Sequence, residues 1–121
     1  MILDVAEVAV VANLPLHFSL QLAAQLGFQL EDNYDADKQI LDLQDGRFVA
    51  TFPDHQLYLE GKLSETTFAL LQTENPVTLY RIKLNQATRR QLLEAYEHFF
   101  QFHIHDFGRL KTVRVLEEVL G

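Results

Sequence analysis

Asn85-Gln86-Ala87-Thr88-Arg89-Arg90-Gln91-Leu92-Leu93-Glu94-Ala95-Tyr96-Glu97-His98-Phe99-Phe100 is the stretch on which the fold turns. Asn85 can cap a helix, and Leu92, Tyr96, Phe99, Phe100 and His103 then fall at i, i+4, i+7, i+8 and i+11. That spacing lines one face of a long helix with bulky apolar groups. Gly108 breaks the chain after it, and a final helix is expected from about Thr112, with Val113, Leu116 and Leu120 inward and Arg114, Glu117 and Glu118 outward.

Working back towards the N-terminus, Asn75-Pro76 ends a shorter helix for which Ser64 is the expected cap, with Phe68 and Leu71 facing inward. Before it, Ile40-Leu41-Asp42-Leu43 and Arg47-Phe48-Val49-Ala50 flank Gln44-Asp45-Gly46. Asp-Gly between two apolar runs predicts a hairpin, placed within residues 38–52 and closed by Phe52-Pro53-Asp54-His55. A lone hairpin is marginal in water, so Leu41, Leu43 or Phe48 must lean on the helices. Glu31 to Asp37 is acidic and aperiodic, hence a surface loop. An earlier helix is expected from Asn13, with Pro15 in its first turn and Leu14, Phe18, Leu22 and Leu26 buried, ending at Gly27. Ile2 to Ala12 fits either a short helix or an extended lead-in. The expected fold class is mainly α: a compact helical bundle with a small inserted β-hairpin, residues 1–121 forming one domain.

At 121 residues and 48% hydrophobic content the chain can bury one core. It has no cysteine, which removes disulfides, thiolate nucleophiles and thiolate zinc sites together. No run is expected to span a bilayer, and Met1 to Leu14 lacks a basic n-region, so a soluble, cytoplasmic protein is the expectation. The net charge of −7 opposes a strong sequence-independent grip on nucleic acid. The charge is unevenly spread, however. Residues 1–80 hold three basic residues, Lys38, Arg47 and Lys62, against twelve acidic ones, whereas residues 81–121 hold seven basic against five acidic. One part of the surface therefore repels anions while another can receive them.

The motifs argue against an enzyme. His98 and His103 miss the i, i+4 relation that lets two imidazoles share a metal, and His103, His105 and Asp106 lack the spacing of a binuclear hydrolase, so no metal and no cofactor is expected. Ser19 and Ser64 stand in no nucleophile elbow, the five glycines open no phosphate loop, and Asp35 with Asp37 or Glu117 with Glu118 are explained as solvated charge. Arg89 and Arg90 occupy the first turn of the long helix, an unfavourable place for cations. They are the candidate nucleic-acid contacts. Arg109, Lys111 and Arg114 stand beside apolar Phe107 and Leu110, a combination that suits a peptide both acidic and hydrophobic.

The order of these segments resembles a known family. Leu20, Leu22 and Leu26-Gly27-Phe28 resemble the Leu-Gly-Phe or Leu-Gly-Tyr helix end of the bacterial recombination mediator RecO. Arg90-Gln91-Leu92-Leu93 through Phe99-Phe100, with Gly108-Arg109-Leu110-Lys111-Thr112 and Leu116, resemble that family's closing pair of helices. Leu41 through Phe48 sits where many relatives carry a four-cysteine zinc element or its metal-free replacement. The resemblance implies the C-terminal helical domain of a mediator working in DNA repair and recombination, without its N-terminal OB-fold barrel. It further implies partners: the acidic, Phe-ending tail of single-stranded DNA-binding protein, RecR, and single-stranded DNA mainly through the barrel. Carried over to this chain, the partner-binding candidates are His17, Phe18, Leu22, Arg109, Lys111 and Arg114. His17 stands where some relatives place arginine, which makes a contact to a partner carboxylate weaker or pH-dependent. The alternatives are a direct single-stranded DNA-binding module, which needs a basic groove with stacking aromatics, and a metal-dependent hydrolase using His103, His105 and Asp106.

Overall fold

The computed structural model describes residues 2–104 together with Val119. Helix α1 (Val5–Gln25) leads into strands β1 (Ile40–Asp42), β2 (Arg47–Val49) and β3 (Tyr58–Leu59). Helix α2 (Gly61–Gln72), a 3-10 helix (Pro76–Arg81) and helix α3 (Gln86–His103) follow. The architecture is mainly helical with a small antiparallel sheet inserted between early and late helices, as the sequence pattern predicts. The expected final helix, the Gly108 turn, His105, Asp106 and the cations Arg109, Lys111 and Arg114 lie outside the described residues.

The first helix is longer than a start at Asn13 allows. Asp4 caps it, its carboxylate accepting from Glu7 N–H at 2.8 Å while Glu7 reaches back to the Asp4 N–H. This reciprocal box satisfies two donors at the helix start and sets the N-terminus more than two turns upstream of Asn13. Asn13 is instead an interior residue, and Pro15 lies mid-helix. At the far end Gly27 adopts φ +97°, with Phe28 N–H donating to Ala23 O at 3.0 Å and Gly27 N–H to Ala24 O at 3.2 Å. Glycine takes that conformation without the strain a Cβ would bring, so the helix stops there. At 21 residues α1 is long and apolar enough to cross a bilayer, contrary to the expectation that no run is. Its Leu16, Leu20 and Ala23 are nevertheless buried in the core.

The hairpin forms as expected around Asp45-Gly46, with Leu41 opposite Phe48 and Gly46 at φ +73°. A third strand joins it, giving the order β2-β1-β3 with Leu41 also opposite Leu59. Two residues carry too little alternation to announce a strand. Leu41, Leu43 and Phe48 are fully buried, so the flap does lean on the helices. Asp42 ties it together: its Oδ1 accepts from Gln44 N–H (2.9 Å), Asp45 N–H (3.0 Å) and His55 Nε2–H (2.9 Å). His55 Nδ1 accepts from Leu57 N–H at 3.0 Å, which fixes the Nε2–H tautomer and fastens the approach to β3.

Ser64 is not a cap. Glu60 precedes α2, and Ser64 is buried in its first turn, its hydroxyl shared between Gln39 O at 2.6 Å and Gly61 O at 3.0 Å. Asn75 does not simply end a helix but caps the 3-10 helix that follows, accepting from Val77 N–H at 3.1 Å. Asn85 caps α3 by accepting from Thr88 N–H at 2.8 Å, and Leu92, Tyr96, Phe99 and Phe100 are buried as the spacing requires. Arg89 of α3 meets Asn13 of α1, while Phe28 packs edge-on against Phe99 and Phe100 and stacks on His103. The two long helices therefore run in the same sense across one core.

Candidate functional site

The site is built on the side of α1 that the core leaves uncovered. Asn13, Leu16, Leu20 and Ala23 recur at i, i+3, i+7 and i+10 and are buried. Val8, Val11, Leu14 and Phe18 lie on the other side, with Val11 54% and Phe18 46% exposed. This corrects the expected buried face. Leu14, Phe18 and Leu26 point outward, and Leu22 is half-buried against the core. A helix apolar on two faces gives periodicity nothing to choose between. Polar Asn13, His17 and Ser19 mark the true inner face, because each is buried with a hydrogen-bond partner.

The two neighbouring candidates His17 and Phe18 diverge, as successive residues on a helix must. His17 is only 3% exposed, and its Nε2–H donates to Thr73 O at 2.9 Å, fastening α1 to the end of α2. Its ring is thus turned away from any partner that Phe18 meets.

Arg89 and Arg90 also part. Arg89 turns inward: its Nε–H donates to Asn13 Oδ1 at 3.2 Å and an Nη2–H to Leu84 O at 2.9 Å. The Asn13 amide in turn donates to Leu79 O at 3.0 Å and Ile82 O at 2.9 Å. This network accounts for a cation in the first turn of α3. Arg90 is exposed, as are Arg81 and Lys83 on the preceding segment. Between Asn75 and Leu93 there are four cations and no acidic residue. Among the described residues the ion pairs are Arg47 with Asp45 and His55 with Asp42, so Arg81, Lys83 and Arg90 have no carboxylate partner there. Arg81 and Lys83 were not among the candidates drawn from the sequence. Their signal was the acid-free run itself.

Among the described residues no three His, Asp or Glu side chains gather to hold a metal, and His103 directs its Nε2–H to Leu43 O at 2.9 Å. The flap does not fit a zinc element either, since Asp42 and His55 bind each other and the chain has no cysteine. An open groove of about 480 Å³, lined among others by Leu30, Glu31, Asp32, Asn33 and Leu71, carries no grouping of reactive side chains.

No family model matches the sequence. No solved structure matches it either. Two curated relatives do. The DNA repair protein RecO of Christiangramia forsetii is 33% identical over 111 residues, covering 92% of this chain and 45% of that protein. The DNA repair protein RecO of Azobacteroides pseudotrichonymphae is 23% identical over 108 residues, covering 89% of this chain and 44% of that protein. The chain thus spans just under half the length of the relatives it matches. With a likeness running through nine-tenths of its residues, the chain is related to RecO proteins over a stretch just under half their length.

Proposed function

We propose that this chain works in DNA repair and recombination as a non-enzymatic mediator module that holds partner proteins. Its first partner is an acidic peptide ending in an apolar residue, of the kind found at the tail of single-stranded DNA-binding protein, and RecR is a further one. One observation carries the reading: in a RecO relative, α1 leaves Val11, Leu14 and Phe18 uncovered in the same molecule that leaves Arg81, Lys83 and Arg90 without carboxylates among the described residues. Exposed apolar surface rimmed by charge is the ordinary signature of a protein-docking face. Phe18 is the central apolar contact, with half-buried Leu22 one turn further along α1. Arg109, Lys111 and Arg114 remain candidate cations from outside the described residues.

Isothermal titration of the chain with a short acidic peptide ending in Phe tests this. Binding in the micromolar range that weakens with salt is expected, and absence of binding at low salt contradicts it. The second reading is direct binding of single-stranded DNA, favoured by the same cations. Of the four aromatics that could stack on bases, Tyr96 and Phe99 are core residues, while half-buried Tyr80 and exposed Phe102 are left to serve that reading. Oligonucleotide affinity falling steeply with salt, with no peptide binding, would favour that second reading.

A further inference from the structure

Asn13 is a 1% exposed amide in the middle of an apolar helix, and its side chain joins three elements. Its Nδ2 donates to Leu79 O and Ile82 O at the end of the 3-10 helix, and its Oδ1 accepts from Arg89 of α3, which also binds Leu84 O. The neighbours of this node are what matter. Leu14, next to Asn13, is part of the exposed apolar stripe. Arg81 and Lys83 flank Ile82, and Arg90 follows Arg89, so three exposed cations stand within one residue of the node's own members. The buried polar junction thus ties the helix that carries the uncovered apolar stripe to the segment that carries these cations.

We propose that Asn13 and Arg89 are positioning residues: their network holds Arg81, Lys83 and Arg90 at a set distance from the α1 stripe, so that a single acidic peptide with an apolar end meets both. The inference rests on the peptide-binding reading given above. Charge complementarity commits the surface to this occupant, because the cations lack carboxylate partners and the stripe lacks an apolar cover among the described residues. Arginine is suited to the junction, since its planar fork spans Asn13 and Leu84 together, which an ammonium on a flexible stem does not reproduce.

The test compares Arg89→Lys and Asn13→Ala with the unaltered chain by titration of an acidic peptide ending in Phe and of the same peptide lacking the Phe. Arg89→Lys keeps the charge, so a merely structural role would lower the melting temperature and leave both affinities of the folded protein unchanged. The proposal expects binding of the Phe-ending peptide to weaken by about tenfold in each variant that folds, the scale of one charge-assisted contact. It expects the shortened peptide, which uses the cations alone, to bind all three proteins alike. Unchanged affinity for the Phe-ending peptide in folded Arg89→Lys, or an equal loss with both peptides, would overturn the positioning role while leaving the peptide-binding reading intact. Failure of the unaltered chain to bind, or preference for an oligonucleotide lost on Arg90→Glu, would overturn the reading and the inference together.

Discussion

At Asn13 the cost of a buried amide is offset by its pairing on both the oxygen and the nitrogen, and that makes the residue sensitive to truncation. Asn13→Ala takes away the partner of the Ile82 carbonyl and of one Arg89 donor, and a fall of about 3 kcal/mol in unfolding free energy is expected in a denaturant titration. Tyr96 poses a different case. Thr67 Oγ1 donates to Leu63 O at 2.9 Å, so the Tyr96 hydroxyl must be the donor in their 2.7 Å bond. Burial pushes the phenol far above its ordinary value of 10.0, and the bond to Thr67 only partly opposes this. Above about pH 10 the unfolded chain therefore sheds a proton that the folded chain keeps, so stability is full below that pH and falls as pH rises beyond it. Tyr96→Phe is expected to cost about 1 kcal/mol at neutral pH and to remove this alkaline loss, as read from melting curves between about pH 7 and 11. An alkaline loss that persists in Tyr96→Phe would place its origin elsewhere.

The elements differ in how openly the sequence declares them. α3 was legible because one face is bulky and the other polar, and its cap and four core residues stand where the spacing put them. α1 was half legible. Its Asp4-to-Glu7 box was present in the sequence, but Asn13-Leu14-Pro15 imitates a helix start so well that local chemistry pointed too far along the chain, and only the partners of Asn13 in distant segments reveal its role. β3 could not be read, because its existence depends on pairing with β1 and on the Asp42–His55 tie rather than on its own residues. Two outcomes follow at this scale. Pro15 offers no N–H to the carbonyl four residues earlier, so Pro15→Ala is expected to raise stability by about 1 kcal/mol or more, checked by thermal melting. A lower melting temperature would mean that the packing requires the proline. His55→Ala is expected to speed amide exchange at Leu57 and Tyr58 while leaving α3 protected, since the tie serves the flap alone.

For the whole molecule the governing feature is segregation: apolar groups uncovered on one helix, cations gathered on the segment joined to it, and acidic groups on most of the remaining chain. Composition revealed the charge imbalance, and the family resemblance directed attention to Phe18. Neither could reveal that Arg89 faces inward while Arg90 faces outward, because adjacent residues of one type are separated only by what each meets in three dimensions. The segregation predicts where a ligand settles. The most direct measurement is the change in backbone amide chemical shifts as a short acidic peptide ending in Phe is titrated into isotope-labelled protein. Shifts concentrated on residues 8–18 and 80–90, with the flap at residues 40–59 unmoved, are the predicted result. Shifts centred on the flap, or none at saturating peptide, would contradict the account.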